Sequence, residues 1–149
     1  MKRKGFTLVE LAIVIAILGI LAMYAIPKYQ GMVEEARTAQ AKAQLGTVRS
    51  ALAIYYAKNS GKFPATLTDS LFAEGRVPEV EATKGDGTVV KNNNVVNITG
   101  DGVVDPNSAT ELTDAGGWVY DVKSGTLDQC DVRINAKGTG VDGKHWYEY

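Results

Sequence analysis

Few residues in this sequence could do chemistry. Cys130 is the only thiol, so neither an internal disulfide framework nor a multi-cysteine zinc or iron–sulfur site can be built. His145 is the only imidazole, and no second histidine sits near an acidic cluster. There is no paired nucleophile and base, and no phosphate-binding glycine loop followed by lysine. His145 beside Trp146 reads as a structural residue, and no enzyme is expected. Lys123, Arg133, Lys137 and Lys144 interleave with Asp121, Asp128, Asp131 and Asp142, so no basic cluster marks a nucleic-acid surface and no nucleic-acid partner is expected.

One acid stands apart. Lys2, Arg3 and Lys4 are followed by 21 residues, Phe6 to Ile26, whose single charged side chain is Glu10. As a helix that run spans about 31 Å, the hydrocarbon thickness of a bilayer. The basic triplet predicts a cytoplasmic N-terminus. A carboxylate at the centre of a span costs about 2.5 to 3.5 kcal/mol, less near an end, so Glu10 calls for a partner. Three readings compete: a cleaved secretory signal, an ordinary anchor, and a leader whose apolar run is retained. The run is longer than the roughly 7 to 15 residues of a secretory signal, and Ala22-Met23-Tyr24-Ala25-Ile26-Pro27 lacks a small-x-small cleavage site. An ordinary anchor has no use for Glu10.

Lys2-Arg3-Lys4-Gly5-Phe6-Thr7-Leu8-Val9-Glu10 resembles the class III leader and mature start of type IV pilins and pseudopilins. The resemblance covers about the first 65 residues and implies cleavage after Gly5 by a membrane aspartyl peptidase, then methylation of the new amine on Phe6. A second, looser likeness lies in Ala51-Leu52-Ala53-Ile54-Tyr55-Tyr56 and the following Ala57 to Pro64, similar to the helix end of pilins and major pseudopilins.

Physics gives the leader arrangement a reason of its own. Cleavage would leave a positive amine one helical turn from Glu10, since residues four apart share a face. In a bundle of such helices Glu10 could equally accept the amine of a neighbouring Phe6. At about 4 Å and an effective dielectric near 20 the pair gains roughly 4 kcal/mol before desolvation, and its best-founded use is to set register. Of the 16 Lys and Arg, three precede Gly5, so 13 face 17 Asp and Glu beyond it.

The elements that must hold this site follow from periodicity. Pro27 interrupts the helix by removing a donor, and Gly19 is a second weak point, so both are expected kink positions, although Gly19 equally serves close helix packing. Ala41, Leu45, Val48, Leu52 and Tyr55 then recur on one amphipathic face, opposite Glu34, Glu35, Arg37, Lys42, Arg49 and Lys58. Asn59-Ser60-Gly61 ends the helix. From Phe6 to Asn59 a continuous helix would measure roughly 80 Å.

Residues 60 to 149 read as a β-rich head too small to bury much surface alone, so the Leu45 to Tyr55 face should complete its core. Short helices are expected at Thr66 to Glu74, capped by Thr66, and at Ser108 to Ala115. Strand patterns lie at Thr88 to Val90 and Val95 to Ile98. Trp118 to Tyr120, the turn Lys123-Ser124-Gly125, and Cys130 to Ile134 form the clearest hairpin. His145 to Tyr149 reads as a last strand or an aromatic clamp.

Many type IV pilins close this region with a disulfide, which Cys130 alone cannot form, so another device must pin it. Asn97, Thr99, Asp101 and Asp105 give half of a calcium loop, but Ser108 stands where a bidentate carboxylate belongs. An ordinary Asp-Gly turn, as at Asp86-Gly87 and Asp142-Gly143, explains the stretch better, and no cofactor is expected.

The expectation is an α+β protein: a leader (1–5), a transmembrane and polymerisation helix (6–27), an amphipathic continuation (28–59) and a small antiparallel β-sheet head (60–149). The resemblance implies a type IV pilin that leaves the inner membrane and polymerises with itself into an extracellular filament, with the prepilin peptidase and an inner-membrane assembly platform as partners. The alternatives are a periplasmic pseudopilin of type II secretion and a monomeric membrane-anchored binding module.

Overall fold

A computed structural model describes residues 5–100, 112–123 and 127–149. The chain forms two compact units, Met1–Glu34 and Glu35–Tyr149. Helix α1, Leu8–Lys58, contributes residues to both.

In the first unit every residue from Gly5 to Val33 is exposed, including Phe6, Leu18 and Met23. The helix is long and apolar enough to cross a membrane. It runs unbroken through Gly19 and Pro27. Pro27 has no N–H to give the carbonyl of Met23, so one rung of the helix ladder is missing there.

In the second unit α1 buries Thr38, Ala41, Leu45, Val48 and Leu52, at steps of three and four that keep one face inward. Tyr55, expected on that face, is half-buried. The helix stops as its sequence requires: Ser60 and Gly61 take φ of 54° and 77°, and the Gly61 N–H returns to the Tyr56 carbonyl at 3.1 Å.

The core is shared between that face and two sheets. Strands β1 (Val80–Thr83) and β2 (Val89–Asn92) form an antiparallel hairpin. Its turn is closed by Asp86, whose Oδ1 accepts the Thr88 N–H at 2.9 Å, with Gly87 at φ 83°. The sequence patterns located β2 but not β1. The second sheet has the order β3 (Val95–Gly100), β4 (Trp118–Lys123), β5 (Cys130–Ile134). Trp118, Tyr120, Val122, Val132 and Ile134 belong to one buried cluster with Leu45, Val48 and Leu52.

The α+β architecture expected from the sequence is therefore observed, with four local corrections. First, β4 and β5 pair antiparallel as the hairpin pattern requires, but β3 lies parallel to β4, so this sheet is mixed. Parallel neighbours need a crossover of about a dozen residues or more, and the connection from Gly100 to Trp118 is long enough to supply it. Second, Thr66 to Glu74 holds only a 3₁₀ turn, Asp69–Leu71. Side chains compete there with helical bonding: Asp69 Oδ1 accepts the Val77 N–H at 2.8 Å, and Asn97 Oδ1 accepts that of Leu67 at 2.8 Å. Third, of the expected Ser108 to Ala115 helix, residues 112–115 are not helical and the rest lies outside the described residues, as does most of the Lys123-Ser124-Gly125 turn. Fourth, the C-terminal segment is a clamp: His145 makes a single antiparallel bridge with Thr139, and Trp146–Glu148 forms a 3₁₀ turn that buries Trp146 completely. The tight turn between Gly140 and Gly143 leaves no length for a strand pair.

Gly117 makes the sheet start possible. Its φ is 77°, and a Cβ there would lie 2.2 Å from the Asn94 carbonyl oxygen.

Cys130 is half-buried, and burial, reinforced by Asp131, pushes its thiol up to about 11. The pinning device is instead polar. Asp142 accepts hydrogen bonds from the Tyr149 hydroxyl and from Lys42 Nζ at 3.0 Å, that ammonium lies 4.4 Å from the centre of the Tyr149 ring, and Arg49 donates to the Tyr149 carbonyl at 2.6 Å. The Tyr149 hydroxyl first, then Lys42, holds the Asp142 carboxyl near 2, below its ordinary 3.8. A lowered carboxyl stabilises the closed form fully above about pH 3.8 and ceases to as pH falls through about 2. Acidification across that interval should therefore lower the protection of the Trp146 and Glu148 amides, measured as hydrogen exchange relative to the intrinsic rate at each pH. Asp142→Asn should do the same at neutral pH, and unchanged protection in both cases would exclude the clamp.

Candidate functional site

The residues that open the chain form the candidate site. Gly5 and Phe6 precede α1 and are exposed, with nothing among the described residues within 4 Å of where a Gly5 Cβ would stand. The peptide bond between them is exposed and lies outside the helix.

Helix α1 begins immediately beyond. Thr7 is its N-cap, and its Oγ1 accepts the Glu10 N–H at 3.2 Å. Glu10 reaches back, one carboxylate oxygen, Oε2, accepting both the Thr7 N–H and the Thr7 hydroxyl at 2.8 Å. This reciprocal pair satisfies backbone donors that the first helical turn leaves open. Among the described residues the other oxygen, Oε1, accepts nothing, so Glu10 keeps a lone-pair face for a further donor.

The arrangement thus joins Glu10 to Thr7 and not to Phe6, which is 84% exposed. With Gly5 joined to it, the Phe6 nitrogen is an uncharged peptide amide and offers no counter-charge. Thr7, not the Phe6 nitrogen, is the partner of Glu10 among the described residues. The signal was in the sequence all the same, since Thr7-Leu8-Val9-Glu10 has capping-box spacing. Thr7→Val should therefore fray the first turn, costing about 0.5 to 2 kcal/mol of local helix stability. Faster hydrogen exchange at Glu10 and Leu11 would register it; unchanged exchange would mean that the apolar run alone holds the turn.

Gly19 and Pro27 lie within α1 and are exposed, and among the described residues nothing approaches within 4 Å of a Cβ placed on Gly19. Of the four loop residues, Asn97 and Thr99 fall in β3, where the Asn97 side-chain oxygen is committed to the Leu67 N–H. Asp101 and Asp105 lie outside the described residues. Among the described residues no three His, Cys, Asp or Glu side chains converge as a metal site would require.

Comparison with known proteins places these observations. A family model described as the prokaryotic N-terminal methylation motif matches residues 1–26. A type IV major pilin of Neisseria gonorrhoeae is 34% identical over 148 residues, covering 95% of this chain and 87% of the relative. The type IV narrow pilus major component of Thermus thermophilus is 41% identical over 85 residues, 57% of this chain and 68% of that protein. A type IV major fimbrial protein of Dichelobacter nodosus is 34% identical over 96 residues, 60% of this chain and 62% of its own length. Other relatives are spanned over about half their length. No solved structure gives a significant match. A methylation-type start, a capped apolar helix with its single carboxylate, and 34% identity to a pilin over nearly the full length agree: the chain belongs to the type IV pilin family.

Proposed function

We propose that this protein is a structural filament subunit: inserted with its N-terminus in the cytoplasm, cleaved after Gly5, methylated on Phe6, then polymerised through the apolar half of α1 into an extracellular pilus. The observation that carries this reading is the first unit, in which a helix of apolar side chains buries none of them within its own chain. Burying one Leu, Ile or Val contributes about 1.5 to 3 kcal/mol relative to water, so such a surface needs lipid before assembly and other copies after it.

Glu10 supplies the register. Cleavage converts the Phe6 amide into an amine, and Oε1 is the acceptor that Thr7 leaves unused. Pairing with the amine of a neighbouring copy neutralises both charges where neither is solvated. The prepilin peptidase and an inner-membrane platform act as partners, and the reading involves neither catalysis nor a cofactor. The names of the relatives, pilus and fimbrial components, support it.

The test is to shear native cells gently, image the released material by electron microscopy, and determine the intact mass and N-terminal peptide of its main component. Filaments of chains beginning at methylated Phe6 are expected. Processed protein confined to the membrane fraction would favour a secretion pseudopilin, and a chain that keeps residues 1–5 would favour an anchored module.

A further inference from the structure

The exposed apolar surface does not end where the apolar run does. Beyond Ile26 and Pro27 come Lys28 and then Tyr29, Met32 and Val33, which are 68%, 60% and 40% exposed, before Glu34 and Glu35 close the stretch. From Leu8, where α1 begins, to Val33 is 26 residues, about 39 Å of helix, against about 29 Å for Leu8 to Ile26. Those two lengths come close to a bilayer with and without its headgroup zones, about 40 to 45 Å and about 30 Å.

We propose that Tyr24, Lys28 and Tyr29 form a lipid-headgroup belt that sets the depth of the precursor in the membrane, on the side opposite its N-terminus. This rests on the membrane-spanning reading above. Tyr24 and Lys28, four residues apart, share a helix face, and Tyr29 follows directly, all within about 7.5 Å along the axis. Tyr24 is 75% exposed, so both rings offer an apolar body and a polar tip. Lys28 has no ion-pair partner among the described residues, and no Asp or Glu occurs between positions 23 and 33. A second copy in register brings the same acid-free stretch, whereas anionic headgroups bring the counter-charge, which the flexible lysine stem can reach.

The test uses the full chain in phosphatidylethanolamine–phosphatidylglycerol vesicles carrying a doxyl label either near the headgroup or near the bilayer centre. Tyr24→Trp, Tyr29→Trp and Val14→Trp report depth by fluorescence quenching. The parent chain, whose Trp118 and Trp146 are fully buried, sets the background. The expected result is Val14→Trp quenched more by the central label, and both tyrosine replacements quenched about twofold more by the headgroup label. If either tyrosine replacement is quenched more by the central label while Val14→Trp behaves as expected, the belt is overturned and the span survives. Replacements at 24 and 29 that neither label quenches, beside a quenched Val14→Trp, would overturn it in favour of a second copy covering that face. A Val14→Trp quenched by neither label overturns both the belt and the spanning reading.

Discussion

Replacing Glu10 with leucine is expected to leave insertion and cleavage intact while lowering the yield of sheared filaments roughly tenfold or more. The carboxylate costs free energy in lipid, so its loss removes a penalty from the membrane state and nothing from membrane affinity. If Glu10 pairs in the filament as proposed, the same change would leave the amine of a neighbouring Phe6 buried without its counter-charge. An ion pair at about 4 Å gains roughly 4 kcal/mol at an effective dielectric near 20, and each 1.4 kcal/mol is about a tenfold factor, so a part of that gain suffices for the loss. Glu10→Gln separates two roles of the side chain. Its amide oxygen can still accept from Thr7 and hold the first turn, yet it carries no charge. Assembly should therefore fail in Glu10→Gln while amide exchange at Glu10 and Leu11 changes little. Filament yields for Glu10→Leu within about twofold of the parent would exclude charge pairing as the source of register.

Trp118→Ala should be the most damaging change in the second unit, costing about 3 to 5 kcal/mol. Trp118 is fully buried at the start of β4, and its indole N–H donates to the Pro78 carbonyl at 2.8 Å. The substitution empties a space in the buried cluster to which α1 and β1 also contribute. Trp118→Phe retains most of the packing and loses the hydrogen bond, leaving the Pro78 carbonyl short of a donor, so about 1 to 3 kcal/mol is expected. Thermal unfolding of the full chain in detergent, followed by near-ultraviolet circular dichroism, measures both. An alanine variant less destabilised than the phenylalanine one would contradict this account of the core.

Much of the molecule was legible because its signals are local. A carboxylate inside a 21-residue apolar run is costly in any fold, so Glu10 declared itself without coordinates. Steps of three and four put Ala41, Leu45, Val48 and Leu52 on one face whatever they pack against. Ser60 and Gly61 end α1 through backbone conformations that neighbouring residues determine. Thr7 was equally local and equally readable, but the capping box became visible as part of the site only once the Glu10 carboxylate was seen to turn back on it.

The sequence by itself thus determined the exposed apolar helix, the single carboxylate within it, the amphipathic face and the helix stop, because each is decided by residues within a turn or two. Tertiary structure alone decided that β3 runs parallel to β4, since alternation reads the same in both directions. It also decided that Thr66 to Glu74 is mostly not helical, because Asn97, thirty residues from Leu67, claims a backbone donor there. The C-terminal clamp is the clearest case: Asp142 is a hundred residues from Lys42, and only a folded chain lowers the entropy cost of bringing such a pair, with Tyr149 and Arg49, into contact.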